Sequence, residues 1–120
     1  MSTTTTATAT KVPAAYRKAA RIANETALTA GELVNSLNDG LGATPEEVRG
    51  LCRYLATANN KRKSLVDAST ATMFYDAVAA FSKAEFALLA DDTDAAANYL
   101  DEGATQLERV EGHVQGLFTR

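Results

Sequence analysis

Two groups of residues have types and spacings that could do chemistry. The first is Arg109 and His113, which lie four residues apart and therefore on one face if this stretch is helical. Histidine can transfer a proton and arginine can stabilise developing negative charge, as cleavage of a phosphodiester requires. The second group is a set of five cations next to Tyr54, of a kind that binds phosphates or acidic side chains. Its members are Arg49, Arg53, Lys61, Arg62 and Lys63.

The arginine–histidine pair resembles that of the HEPN-type ribonucleases and toxins, all-α proteins that carry both residues near the start of a late helix. The resemblance implies an RNA-acting nuclease or a toxin–antitoxin component. Only three residues separate Arg109 from His113, fewer than in that family, and the pair lies in an acidic stretch that would repel a nucleic-acid backbone. We therefore keep the pair as an alternative, and interpret Arg109 as a surface arginine near the only histidine of the chain.

The basic group within residues 49–63 allows two kinds of partner. Lysine and arginine release counterions from nucleic-acid phosphates, so a small nucleic-acid-binding regulator is one hypothesis. Nucleic-acid-binding domains are usually basic overall, whereas the net charge here is −3. Residues 40–64 carry a charge of +3 and residues 85–120 a charge of −6. This separation favours a protein partner, either another copy of the chain or a larger particle, over nucleic acid.

Other kinds of reactive site lack the residues they need. Carboxylate-bridged metal sites in helix bundles use a histidine from each of two helices, and this chain has one histidine. Cys52 lies on an apolar face, which favours a buried thiol over a nucleophile. We predict no cofactor, no metal and no enzymatic activity.

Length and composition predict a single domain. With 120 residues, 46% of them apolar, the chain can bury a core without disulfides. No stretch resembles a signal peptide or reaches the roughly 18 apolar residues of a membrane span. We therefore expect a cytoplasmic protein, or one incorporated in a particle assembled inside the cell, with no membrane association. Residues 1–11 form a low-complexity Thr/Ala tail, expected to be extended, and residues 12–120 form one helical-bundle domain.

Helical periodicity and capping residues predict four helices. The first begins at Pro13 and is ended by Gly40. The second begins at the capping box Thr44-Pro45-Glu46-Glu47 and runs for about four turns, to Asn59 or Asn60. The basic run that follows is interpreted as a break between the second and third helices.

The third helix is predicted to begin at Ser64, and the fourth to be capped within Asp91–Asp94. The fold class is therefore all-α: a small antiparallel bundle of three long helices plus one short helix. The apolar stripe of the third helix is expected to form the centre of the core. It contains Val66, Ser69, Met73, Ala77, Ala80, Ala84 and Leu88, widened by Phe74, Phe81 and Phe86.

The stripe of the fourth helix contains Gly103, which costs about 1 kcal/mol relative to alanine inside a helix. A glycine on a buried face predicts that a neighbouring backbone or a bulky ring lies against it. The regular stripes of the first and fourth helices suit coiled-coil-like packing, within the bundle or between chains. We therefore predict a non-catalytic protein–protein interaction or assembly module that self-associates or binds another protein, such as an adaptor, a regulatory subunit or a particle or virion component.

Overall fold

The computed structural model describes residues 12–118, which form four α-helices and, within that range, no strand. The helices are α1 (Ala14–Asn38), α2 (Pro45–Arg62), α3 (Ala68–Leu89) and α4 (Thr93–Phe118), of 25, 18, 22 and 26 residues. The prediction of an all-α helical bundle is confirmed. The predicted tail, residues 1–11, lies outside the described residues.

Local sequence signals position the α1–α2 connection. Gly40 has φ +78°, in the left-handed region that glycine adopts without a steric penalty. The capping box at the start of α2 is complete: the Glu47 amide donates to the Thr44 hydroxyl at 3.1 Å, and the Thr44 amide donates to the Glu47 carboxylate at 2.8 Å. Both predictions for this segment are confirmed.

Two helix boundaries differ from the prediction. Helix α2 continues to Arg62, so Lys61 and Arg62 lie in its last turn. Helix α3 begins at Ala68 rather than at Ser64. A contact with α1 explains the second difference: the backbone amide of the N-cap residue, Asp67, donates to the Tyr16 hydroxyl at 2.6 Å.

Helix α4 packs extensively on both α1 and α3, and α2 packs on α3. Individual contacts give the directions. At the start of α1, Tyr16 contacts Phe118 at the end of α4, and in the middle of α1, Asn24 donates to Glu111. Arg49, early in α2, donates to Glu85, late in α3, and Asn59, late in α2, donates to the carbonyl of Ala71, early in α3. The helices of each pair therefore run in opposite directions. Helices α1 and α2 contact each other less extensively than the other neighbours do.

The centre of the core is Phe81, the largest of the fully buried side chains. Two residues predicted for the same stripe, Ser69 and Phe86, are exposed instead. Phe86 follows Phe81 by five residues, a rotation of about 140° around the helix, which turns its ring to solvent. That ring is 69% exposed.

The prediction for Gly103 is confirmed, and the group against it is the ring of Phe81. A Cβ atom at Gly103 would lie 2.8 Å from Cδ1 and 2.9 Å from Cζ of that ring, closer than real Cβ atoms approach other atoms. Helices α3 and α4 therefore meet where one has no side chain and the other has its largest buried one.

Candidate functional site: a basic groove between α1 and α2

A groove of about 270 Å³ lies between α1 and α2, at the end of the bundle where α1 begins and α2 ends. Every charged residue that lines it is a cation. The cations are Lys18 and Arg21 from α1 and Lys61 and Arg62 from α2. We call these four residues, together with Tyr54, the basic groove.

Helical spacing places these side chains on facing sides of the two helices. Lys18 and Arg21 are three residues apart, and Tyr54 and Lys61 are seven apart, so each pair shares one side of its helix. Buried Ile22 lies at the base of the groove. Tyr54 is 49% exposed, so one of its sides is open to a ligand.

Two of these cations, Lys61 and Arg62, lie in the last turn of α2, where the helix itself stabilises them. The Arg62 guanidinium donates from Nη1 to the Ala58 carbonyl oxygen at 2.9 Å. The helix dipole is negative at this end of α2, so cations are favourable there. Arg62 is therefore held against the groove, whereas Lys61 is exposed to solvent.

This arrangement is suited to binding anions. Four cations without a lining acid produce a positive potential, and guanidinium groups bind carboxylates and phosphates through two parallel hydrogen bonds. The exposed tyrosine offers a flat apolar contact beside the charges. The groove therefore has the residue types that recognise a negatively charged group.

The structure divides the predicted basic group. Lys61 and Arg62 line the basic groove, but Arg49 does not: its Nε donates to Glu85 at 2.8 Å. That hydrogen bond and the charge of Glu85 raise the pKa of Arg49 above its ordinary value. Arg53 is exposed outside the groove, and Lys63 lines a separate groove between α2 and α3.

Sequence reasoning missed Lys18 and Arg21. The available signal was that Arg17, Lys18 and Arg21 fall within two turns of the first helix, beside its apolar stripe. Their distance from Lys61 and Arg62 depends on how α1 packs against α2, which periodicity within one helix does not specify.

The candidate pair Arg109 and His113 occupies α4, where Arg109 is exposed. No hydrogen bond or ion pair within residues 12–118 joins Arg109 to His113. The imidazole contacts Asp67 instead, with Nε2 2.9 Å from Oδ2. The second carboxylate oxygen of Asp67 accepts a hydrogen bond from the Thr70 hydroxyl at 2.5 Å.

The surroundings of Asp67 favour the ionised form of its carboxylate over the protonated form. Burial raises the pKa of Asp67, but the hydrogen bonds from Thr70 and His113 outweigh burial and leave that pKa below its usual value. The pKa of Tyr16 is raised by burial first and also by the nearby charge of Asp67. These contacts tie the start of α1, the start of α3 and the end of α4 together at one end of the bundle.

The remaining candidates for reactive chemistry are few. Cys52 is buried, with its Sγ 3.7 Å from the Ser82 hydroxyl, and burial raises the pKa of its thiol. Its nucleophilic thiolate form is therefore disfavoured. Among the described residues, no three His, Cys, Asp or Glu side chains cluster in a way that could hold a metal ion.

Within residues 12–118, none of the four helices is long and apolar enough to cross a membrane.

Comparison with known proteins gives no relative from which to transfer a function: no family model, no curated protein and no solved structure matches this chain.

Proposed function

We propose that this protein is a non-catalytic protein–protein interaction or assembly module, a bundle of three long helices and one short helix that holds an acidic partner in its basic groove. The observation that carries the proposal is the set of four cations converging from two helices with no lining acid. Each exposed ion pair contributes little alone, but several charges that converge on one site act together.

The chain itself offers an acidic surface of the complementary kind. Asp94, Asp101 and Glu108 recur at seven-residue intervals on α4, and all three are exposed. Residues seven apart lie on the same side of a helix, so these carboxylates form a row. A second copy that presents this row to the basic groove would form a head-to-tail contact, which can continue as an open assembly.

The experiment measures light scattering across a salt series for the parent and for a Lys18→Glu/Lys61→Glu variant. Attraction between exposed charges is screened over about 8 Å at physiological salt, so association of the parent should weaken as salt rises. The variant should lack this salt-sensitive association even at low salt, because it replaces attraction by repulsion.

A matched control separates the groove from overall charge. Arg53→Glu/Arg109→Glu makes the same change in net charge at exposed positions outside the groove, and should still associate. Equal loss of association in both variants would contradict the groove as the binding site. A parent that stays monomeric at low salt would contradict self-assembly.

Single-stranded nucleic acid is a second candidate, favoured by one observation. Tyr54 is half-exposed among the four cations, and proteins that bind single strands combine cations along the backbone with aromatic rings on which bases stack. Adding a single-stranded RNA oligonucleotide to the same samples tests this candidate. Binding that is lost in Tyr54→Ala and in Lys18→Glu/Lys61→Glu would favour nucleic acid over a protein partner.

A further inference from the structure

Helix α3 carries a second row of residues that lies outside the core, beside α2, which it meets at the half-buried Ser82 and along the groove lined by Thr72 and Tyr75. Its large members are exposed: Tyr75 by 73%, Phe86 by 69% and Leu89 by 59%. Several large apolar side chains exposed along one side of a helix are typical of a protein–protein contact. We call the row the α3 stripe, and its members are Thr72, Tyr75, Ala79, Ser82, Phe86 and Leu89.

The spacing of the α3 stripe is that of a coiled-coil seam. Successive members are separated by three, four, three, four and three residues, which is the a/d repeat of two packed helices. The buried stripe of α3, centred on Phe81, faces α4 and the core. Helix α3 therefore has one seam that is filled and another that is open.

Charges beside the open seam are complementary to those of a second copy of the same helix. Asp76 and Lys83 are seven residues apart, exposed, and follow Tyr75 and Ser82 on the same flank of the α3 stripe. If two copies of α3 pack antiparallel, identical flanks face each other, and Asp76 of one copy lies beside Lys83 of the other. The two-fold axis generates a second, identical pair between Lys83 of the first copy and Asp76 of the other. Two identical flanks therefore place opposite charges side by side only when the helices are antiparallel.

We propose that the α3 stripe is a homodimer interface in which two copies of α3 pack antiparallel about a two-fold axis near residues 80 and 81. In this register Tyr75 of one copy packs on Phe86 of the other, and Ala79 packs on Ser82. The small residues at the centre allow close approach of the helices, and the aromatic residues cover both sides of it. The interface is separate from the basic groove and closes as a dimer, so it does not rest on the proposed function.

The first experiment measures the dimer dissociation constant by analytical ultracentrifugation at high salt, where head-to-tail contacts through the basic groove are screened. Phe86→Glu should weaken dimerisation by about tenfold or more, because it buries an unpaired charge where the ring packs on Tyr75 of the other copy. Leu28→Glu is the matched control: Leu28 is 70% exposed on α1, away from the α3 stripe, and its replacement should leave the dimer intact. A parent that is monomeric up to millimolar concentration overturns the proposal.

The second experiment tests the orientation by mixing two charge variants at low salt, in the Lys18→Glu/Lys61→Glu background that blocks the groove. Asp76→Lys alone puts lysine beside lysine across the interface, and Lys83→Asp alone puts aspartate beside aspartate, so each variant should dimerise less than its background. A mixture of the two restores both opposite-charge pairs and should form a heterodimer.

Folding of each variant is checked by its melting temperature, because the Lys83 ammonium also lies 5.8 Å from the centroid of the Tyr99 ring. A mixture that remains as monomeric as its components overturns the antiparallel register. If Phe86→Glu unfolds the protein, the mixed-variant experiment still tests the antiparallel dimer, because Asp76 and Lys83 are both exposed and their replacement should leave the fold intact.

Discussion

The crossing of α3 and α4 and the groove between α1 and α2 are both helix–helix contacts, yet they are built in opposite ways. At the crossing, the missing side chain of Gly103 admits the fully buried ring of Phe81. At the groove, Lys18 and Lys61 stay in solvent and the two helices contact each other less. Burying an unpaired charge costs several kcal/mol, so helices that face each other with cations cannot close. Charge of one sign thus keeps a site open that apolar residues would fill.

The largest expected effect comes from filling the space at the crossing. Gly103→Ala should destabilise the protein by about 1–3 kcal/mol, because the new methyl group overlaps the Phe81 ring and forces it to move. Helix propensity alone predicts the opposite sign, a gain of about 1 kcal/mol. Gly112→Ala is the matched control, since an added Cβ there meets nothing within 4 Å, and it should stabilise. Urea denaturation of both variants checks the pair. If both substitutions stabilise the protein, the crossing of α3 and α4 is not tightly packed.

Loss of the α2 capping box should have the next largest effect. Thr44→Ala removes the hydroxyl that accepts from the Glu47 amide, at a cost of about 1 kcal/mol. The end of α2 forms one wall of the basic groove, whereas Thr44 caps its start. The substitution therefore tests whether loosening the start of the helix disturbs the groove at its end. We expect a lower melting temperature with unchanged salt-sensitive association. Altered association at a temperature where the variant is fully folded would show that the two ends are coupled.

The contacts of Asp67 predict a smaller effect that depends on pH. A depressed pKa in the folded state adds stability above the unfolded pKa of about 3.9, and this contribution is lost as the pH falls through the folded value. Asp67→Asn should therefore be less stable than the parent at pH 7, by about 1 kcal/mol or less, and should approach the parent near pH 3. Urea denaturation at pH 7, 5 and 3 measures this. Asp101→Asn, which removes an exposed carboxylate, is the control and should show no such convergence.

The smallest expected effect is at Arg109. This residue is exposed, so Arg109→Ala should change stability by less than about 0.5 kcal/mol, whereas His113→Ala should cost more because it removes the contact with Asp67. The same two variants test the nuclease hypothesis in an RNA-cleavage assay. Cleavage by the parent that is lost equally in both variants would make the pair catalytic and would contradict the interaction module.

Features determined by neighbouring residues were predictable, and features determined by distant ones were not. Thr44 and Glu47 are three residues apart, and their capping box follows from their types alone. Ser64 predicts a start for α3 because its hydroxyl can cap a helix, but the structure begins the helix after Asp67, whose amide binds the hydroxyl of Tyr16, 51 residues away in the chain. The candidate site divides in the same way: of the predicted basic group only Lys61 and Arg62 line the groove, and Lys18 and Arg21 join them only through tertiary packing.

The edge-to-face contact of Tyr16 with Phe118, with ring centroids 4.9 Å apart, has a consequence for how the chain folds. It closes a loop of about one hundred residues, whereas α3 and α4 are joined by a short turn and meet at once. Loop-closure entropy grows with the logarithm of loop length, so we expect the α3–α4 hairpin to form before α1 docks on α4. In that order the face of α4 that receives α1 is exposed until the last helix docks.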